Sequence, residues 1–178
     1  MAIEVGKEVR ASKDFDKVIF SVVLKDLNLN KIRENIANQL GFQIDEKMGE
    51  SKQAQSLWKR IFKGGENILI ILDDMWEALT LRDIGIPPSN HDKGCCVVLV
   101  TTRQWKICRD MGCHEIIKLE VLNEKDASNL FLSYTGISMD SSSNDFEHVA
   151  LDIVEECGRL PVAIIAVARA LKFRPIGD

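Results

Sequence analysis

Residues Ile68-Leu69-Ile70-Ile71-Leu72 form an unbroken aliphatic run that ends abruptly in Asp73-Asp74. Five apolar residues without alternation suit a strand buried on both faces, and such strands belong to parallel sheets with helices on each side. Ligands of open α/β sheets sit beyond the carboxyl ends of the strands, which is where the two carboxylates fall. In a phosphate-binding site, Asp73 would hold Mg²⁺ directly or through water, and Asp74 would orient or deprotonate an attacking water. The competing reading is a polar stop after a hydrophobic strand that also caps the next helix.

The rest of the chain alternates in the same way. Phe15 to Val23 is rich in β-branched and aromatic residues and reads as a second buried strand. Leu29, Ile32, Ile36 and Leu40 follow at helical spacing, with Gly41 placed to end that helix in a left-handed turn. A further helix carries Ala54, Leu57, Trp58, Ile61 and Phe62 on one face and stops at Gly64-Gly65. Cys95 to Val100 is a third buried strand, ending in Thr101, Thr102 and Arg103. Trp105 to Met111 is a short helix closed by Gly112, and Ile116 to Leu119 a short fourth strand. Asn123 then opens a helix containing Ala127, Leu130 and Phe131. Strand and helix alternate from Phe15 to Tyr134, the pattern of a doubly wound, mostly parallel α/β fold.

Serines dominate from Ser138 to Asn144, so a subdomain boundary is expected there, giving 1–137 and 138–178. Beyond it the pattern is helical only. Phe146, Val149, Ile153 and Val154 share a face, and Pro161 suits the first turn of an apolar last helix. That helix is apolar over most of its surface and is expected to be covered.

With 46% apolar residues among 178, a real core can form, and no apolar run approaches a membrane span. The start, with Glu4, Lys7, Glu8 and Arg10, is not that of a secretory signal. The net charge of −4, with both signs mixed throughout, gives no electrostatic footprint for nucleic acid. Five cysteines show no paired metal-ligand spacing; Cys108, Cys113 and His114 lack a fourth partner. Reduced thiols in a cytosolic or nuclear protein are expected.

Two strand ends now suggest one site. If the strand ending in Asp73-Asp74 neighbours the one ending in Thr101-Thr102-Arg103, an acid pair and a guanidinium converge. The planar fork of Arg103 could meet a terminal phosphate oxygen, a charge-assisted contact worth roughly 1.5–3 kcal/mol. Alone, Arg103 would read as an ordinary exposed arginine. No Gly-x-x-x-x-Gly-Lys-Ser/Thr run is present in the sequence: Gly6-Lys7 and Gly64-Gly65 both lack its spacing.

Phe15 to Val23, Ile68 to Trp76, Val97 to Arg103 and Cys157-Gly158-Arg159-Leu160-Pro161-Val162-Ala163 occur in that order. Together they resemble the NB-ARC nucleotide-binding module of plant disease-resistance proteins of the coiled-coil, leucine-rich-repeat kind, in the STAND branch of P-loop ATPases. The resemblance implies a P-loop-NTPase-like sheet, its first strand and P-loop absent here, followed by the start of a helical ARC subdomain. It implies a switch that rests with ADP, becomes active on exchange for ATP with Mg²⁺, and turns over ATP slowly if at all. By resemblance, Asp73 corresponds to the Mg²⁺-site acid and Asp74 to the catalytic acid. Thr102 and Arg103 fall at the nucleotide, Arg103 as the sensor of the γ-phosphate. Pro161 corresponds to the proline of the Gly-Leu-Pro-Leu-Ala motif, beside the adenine and sugar. Arg159 and Val162 depart from that motif's glycine and leucine. Met1 to Lys7 resembles the helix that follows the P-loop. The partners implied are nucleotide and the coiled-coil, winged-helix and leucine-rich-repeat domains of full-length relatives, in the cytoplasm.

Two other readings stand beside this one. A degenerate regulatory or interaction protein could keep the fold without binding nucleotide, since the phosphate cradle is not in this sequence. On that ground the chain as given is expected to bind ADP more weakly than about 100 μM, roughly −5.5 kcal/mol. A phospho-receiver domain also places acids and a threonine at strand ends, but Glu120 stands where its lysine would follow Leu119.

Overall fold

The computed structural model describes residues 2–23, 25–45, 47–87, 96–136 and 144–172. Met1–Ile116 and Ile117–Asp178 form two compact units. In the first, β1 (Lys17–Val22), β2 (Ile68–Met75) and β3 (Cys96–Thr102) make a parallel sheet in the order β1-β2-β3. The aliphatic run is its central strand, and Ile68, Leu69, Ile70, Ile71 and Leu72 are all 4% exposed or less.

Their lack of alternation has a direct cause, because the two faces carry separate apolar clusters. Ile68, Ile70 and Leu72 pack with Ile32 and Ile36 of α2 (Leu29–Gln39) and Leu57 and Ile61 of α3 (Glu50–Gly64). Leu69 and Ile71 face Phe15, Val18, Phe20 and Val9 of α1 (Ala2–Ser12). Helix α1 comes close at Gly6, where a Cβ would lie 3.2 Å from Ile71 Cδ1. Helices therefore cover both faces of a parallel sheet, as a P-loop-NTPase-like layer requires.

Local chemistry sets the helix ends. Asn28 caps α2 by accepting the Lys31 N–H, and α3 stops at Gly65 in the left-handed region at φ 65°. On α3 the buried stripe is Ala54, Leu57 and Ile61, while Trp58 and Phe62 are half-buried at its margin. The opposite margin is Gln53, drawn inward by Arg33. The guanidinium of Arg33 is fully buried and donates to Ile84 O, Asp83 O, Asn30 Oδ1 and Gln53 Oε1. It thereby fastens α4 (Leu81–Ile84), on the segment that leaves β2, to α2 and α3. A buried charge is tolerable only when its hydrogens are satisfied in this way.

Residues Ile116–Leu119 form no strand, contrary to the sequence expectation. Ile117 is 80% and Leu119 63% exposed. β-propensity becomes a strand only where another strand supplies the ladder, and no described strand pairs with this segment.

The second unit holds α6 (Glu124–Thr135), α7 (Asn144–Glu156) and α8 (Pro161–Leu171), after α5 (Trp105–Asp110) at the end of the first. Ala127, Phe131, Ala150, Val154, Ile164 and Ala168 form its core. Thus α6, grouped with the sheet in the sequence reading, shares a core with α7 and α8. The expected boundary at Ser138–Asn144 lies at residues of which 138–143 are outside those described, as do Cys95 and the side chain of Phe146. Val149 is 53% exposed, so Ala150 and Val154 form the buried stripe of α7. Helix α8 buries only its Ile164–Ala168 stripe, while Val162 is 76% exposed.

Candidate functional site

The register of the sheet builds the site. Leu72 pairs with Val100 and Met75 with Thr102, so β2 spends three steps where β3 spends two. The extra residue is a bulge, and it sets Asp73 and Asp74 opposite the single residue Thr101. Asp74 adopts φ 57°, a left-handed backbone that aspartate tolerates better than most side chains.

Thr101 joins the two acids. Its hydroxyl donates to Asp73 Oδ1 at 2.5 Å and accepts the backbone N–H of Asp74 at 2.9 Å. No bond to the second oxygen of Asp73 is found among the described residues. The carbonyl of Asp73 accepts the Val23 N–H at 2.9 Å, tying the tip of β2 to the end of β1.

Asp74 is engaged differently. Its Oδ2 accepts the indole N–H of Trp76 at 3.1 Å, and its Oδ1 lies 3.5 Å from Arg103 Nε. The pair is open to solvent, with side chains 40% and 76% exposed, so its net worth is about 0–1 kcal/mol. Arg103 also lies over the Trp76 ring at 5.3 Å, and Lys25 at 5.7 Å. The tip of the sheet therefore holds two carboxylates, two cations and an indole within one network.

Asp73, Asp74 and Arg103 are brought together on adjacent strand tips. Thr102 is at the same edge, but its hydroxyl donates to Met75 O at 2.8 Å and accepts the Gln104 N–H at 3.1 Å. Its polar group is committed to the backbone, and the threonine that meets the acids is Thr101. Pro161 is the first residue of α8 in the second unit, where its missing N–H costs nothing. Sequence reasoning did not single out Thr101, Trp76 or Lys25. Only the bulge selects Thr101 over Thr102. Among the described residues no cluster of three or more His, Cys, Asp or Glu could hold a metal by itself.

Parallel strands covered by helices on both faces, with acids and an arginine at the carboxyl tips, define an α/β layer of the P-loop-NTPase kind. The family is shown by comparison: the NB-ARC domain model matches residues 1–141, and the chain belongs to that family of nucleotide-binding modules. It is similar to disease resistance protein At4g27190 of Arabidopsis thaliana, 34% identical over 93% of this chain and 16% of that protein. It is similar also to the probable disease resistance protein At1g61300 (33%; 93% and 22%) and to disease resistance protein UNI (34%; 90% and 18%), both of Arabidopsis thaliana. The chain thus spans only 16 to 22% of the length of these relatives. No helix among the described residues is long and apolar enough to cross a membrane.

Proposed function

We propose that this chain is the metal- and γ-phosphate-sensing part of an ADP/ATP switch in a plant disease-resistance protein. The observation that carries the reading is the bulge, which sets both acids against Thr101, with one oxygen of Asp73 left without a partner among the described residues. Mg²⁺ fits that donor set. It is commonly held by one or two carboxylates, with phosphate oxygens and water completing six ligands, and does not need an all-protein cage. When bound, the ion would neutralise the charge of the nucleotide's phosphates.

The roles of the chain's own residues follow. Thr101 fixes the rotamer of Asp73, which presents its second oxygen to the ion. The Trp76 indole and Arg103 hold Asp74, which orients a water for any slow hydrolysis. Arg103 exchanges its weak contact with Asp74 for a phosphate oxygen when the γ-phosphate is present. Breaking the exposed pair costs about 1 kcal/mol or less, so differential binding is hardly diminished. Taking such a switch from one extreme to the other needs about 5.5 kcal/mol, of which Asp73 and Arg103 supply a part. Thr102 supports the site by fixing the backbone beyond Met75, and Pro161 would approach the adenine and sugar. Flanking coiled-coil, winged-helix and leucine-rich-repeat domains would be its partners, in the cytoplasm.

Calorimetric titration of the chain with ATP and ADP, each with and without Mg²⁺, tests the reading. Binding weaker than about 100 μM is expected, tighter for ATP with Mg²⁺ than without. Asp73→Asn should abolish the metal dependence and Arg103→Ala the preference for ATP over ADP. Affinities indifferent to both substitutions, or no heat at about 5 mM nucleotide, where even a 1 mM site (−4.1 kcal/mol) would be mostly filled, would sink it.

A further inference from the structure

The end of α5 carries a feature that the nucleotide reading does not use. Its last carbonyls are satisfied by two reversed hydrogen bonds: Cys113 N–H to Cys108 O at 3.0 Å, and Gly112 N–H to Arg109 O at 3.0 Å. Gly112 sits between them at φ 66°. This is a Schellman turn, and its geometry places the side chain two residues beyond the helix cap against the side chain in the last turn. Apolar residues ordinarily make that contact. Here both positions are cysteine, Cys108 and Cys113.

The backbone bond from Cys113 N–H to Cys108 O at 3.0 Å holds the two residues as direct neighbours across the turn. Both are reduced and half-buried, so a small reagent can reach them. Such a turn brings the two Cα atoms within the span a disulfide needs without unwinding the helix.

We infer that Cys108 and Cys113 form a redox-active dithiol, closed to an intramolecular disulfide by a small-molecule disulfide such as oxidised glutathione. Burial first, and then the neighbouring Cys108 sulfur, push the Cys113 thiol up from its ordinary range. It is therefore the slower first nucleophile at neutral pH. The Cys108 thiolate attacks one sulfur of glutathione disulfide, forming a mixed disulfide and releasing one glutathione thiolate, which takes up the proton that Cys108 gave up. Cys113 then attacks the Cys108 sulfur, breaking the mixed disulfide and releasing the second glutathione. Two protein thiols are oxidised, and one glutathione disulfide is reduced to two glutathiones. The proposal stands independently of any nucleotide.

The test is equilibration of the reduced chain in glutathione buffers, followed by alkylation and peptide mapping by mass spectrometry. The five cysteines should fall to three alkylated ones, the missing two being Cys108 and Cys113 in a single cross-linked peptide. Cys113→Ser should instead accumulate one glutathione on Cys108. A Cβ at Gly112 meets no atom within 4 Å, so Gly112→Val acts through its left-handed φ alone. It should shift the midpoint of cross-linking toward more oxidising buffers. Separate glutathiones on both cysteines of the unmodified sequence, a cross-link to another cysteine, or a midpoint unmoved by Gly112→Val would each overturn the inference.

Discussion

The Thr101 hydroxyl donates to Asp73 Oδ1 at 2.5 Å while accepting the Asp74 N–H at 2.9 Å. One hydroxyl thus fixes both residues of the acid pair, one through its side chain and the other through its backbone. Thr101→Val keeps the shape and removes both bonds. It should destabilise the chain by about 1–3 kcal/mol in urea unfolding, since a half-buried N–H loses its acceptor. Thr101→Ser should restore most of that loss. Equal stabilities for all three would show that the network contributes nothing.

The backbone of Asp74 separates conformational strain from side-chain chemistry. Asp74→Ala and Asp74→Gly both lose the contacts with Trp76 and Arg103, but only glycine is at ease at φ 57°. The glycine variant should be the more stable of the two by about 1 kcal/mol. Thermal denaturation measures the difference, and the reverse order would contradict a left-handed Asp74.

At the opposite end of the strands, Glu66 is paired with Lys17 at 3.1 Å and Arg60 at 3.0 Å. Burial raises its pKa, but the hydrogen bonds and charges of Lys17 and Arg60 outweigh that and hold the carboxyl below its ordinary value. A carboxylate depressed in the folded state stabilises it above the unfolded pKa, and that contribution disappears as pH falls through the folded value. Because the group is partly exposed, Glu66→Gln should cost about 0.5–1 kcal/mol near neutral pH, and that cost should vanish once the pH has fallen below the depressed folded value. Urea midpoints of the two chains that fail to converge on acidification would contradict this.

Arg159 stands where the resemblance places a glycine, and its φ is 53°, directly after Gly158 at 58°. Its only side-chain compensation among the described residues is a contact of 3.5 Å with Glu155. Its backbone N–H bonds to Val154 O, and its carbonyl accepts the Leu122 N–H, neither of which needs a side chain. Arg159→Gly should therefore raise stability by about 0.5–1 kcal/mol in calorimetry, strain relief exceeding a weak ion pair. A loss of stability would mean that Glu155 and Arg159 matter more than the backbone.

Much of the fold follows from the chain alone, because its signals are local. Ile68 to Leu72 without alternation already require two covered faces. Asn28, Asn123, Gly65, Gly112 and Pro161 set helix ends by chemistry that acts within a few residues. Asp73, Asp74 and Arg103 could be nominated because strand tips are where such sheets bind ligands. Other matters could only be settled by neighbours distant in sequence. Whether Ile116–Leu119 forms a strand depends on a pairing partner, and whether Thr101 or Thr102 faces the acids depends on a one-residue bulge between β2 and β3. The burial of Arg33 required carbonyls some fifty positions away. Hydrophobic pattern and capping are written in short windows, whereas register, pairing and the satisfaction of a buried charge exist only once the strands and helices have met.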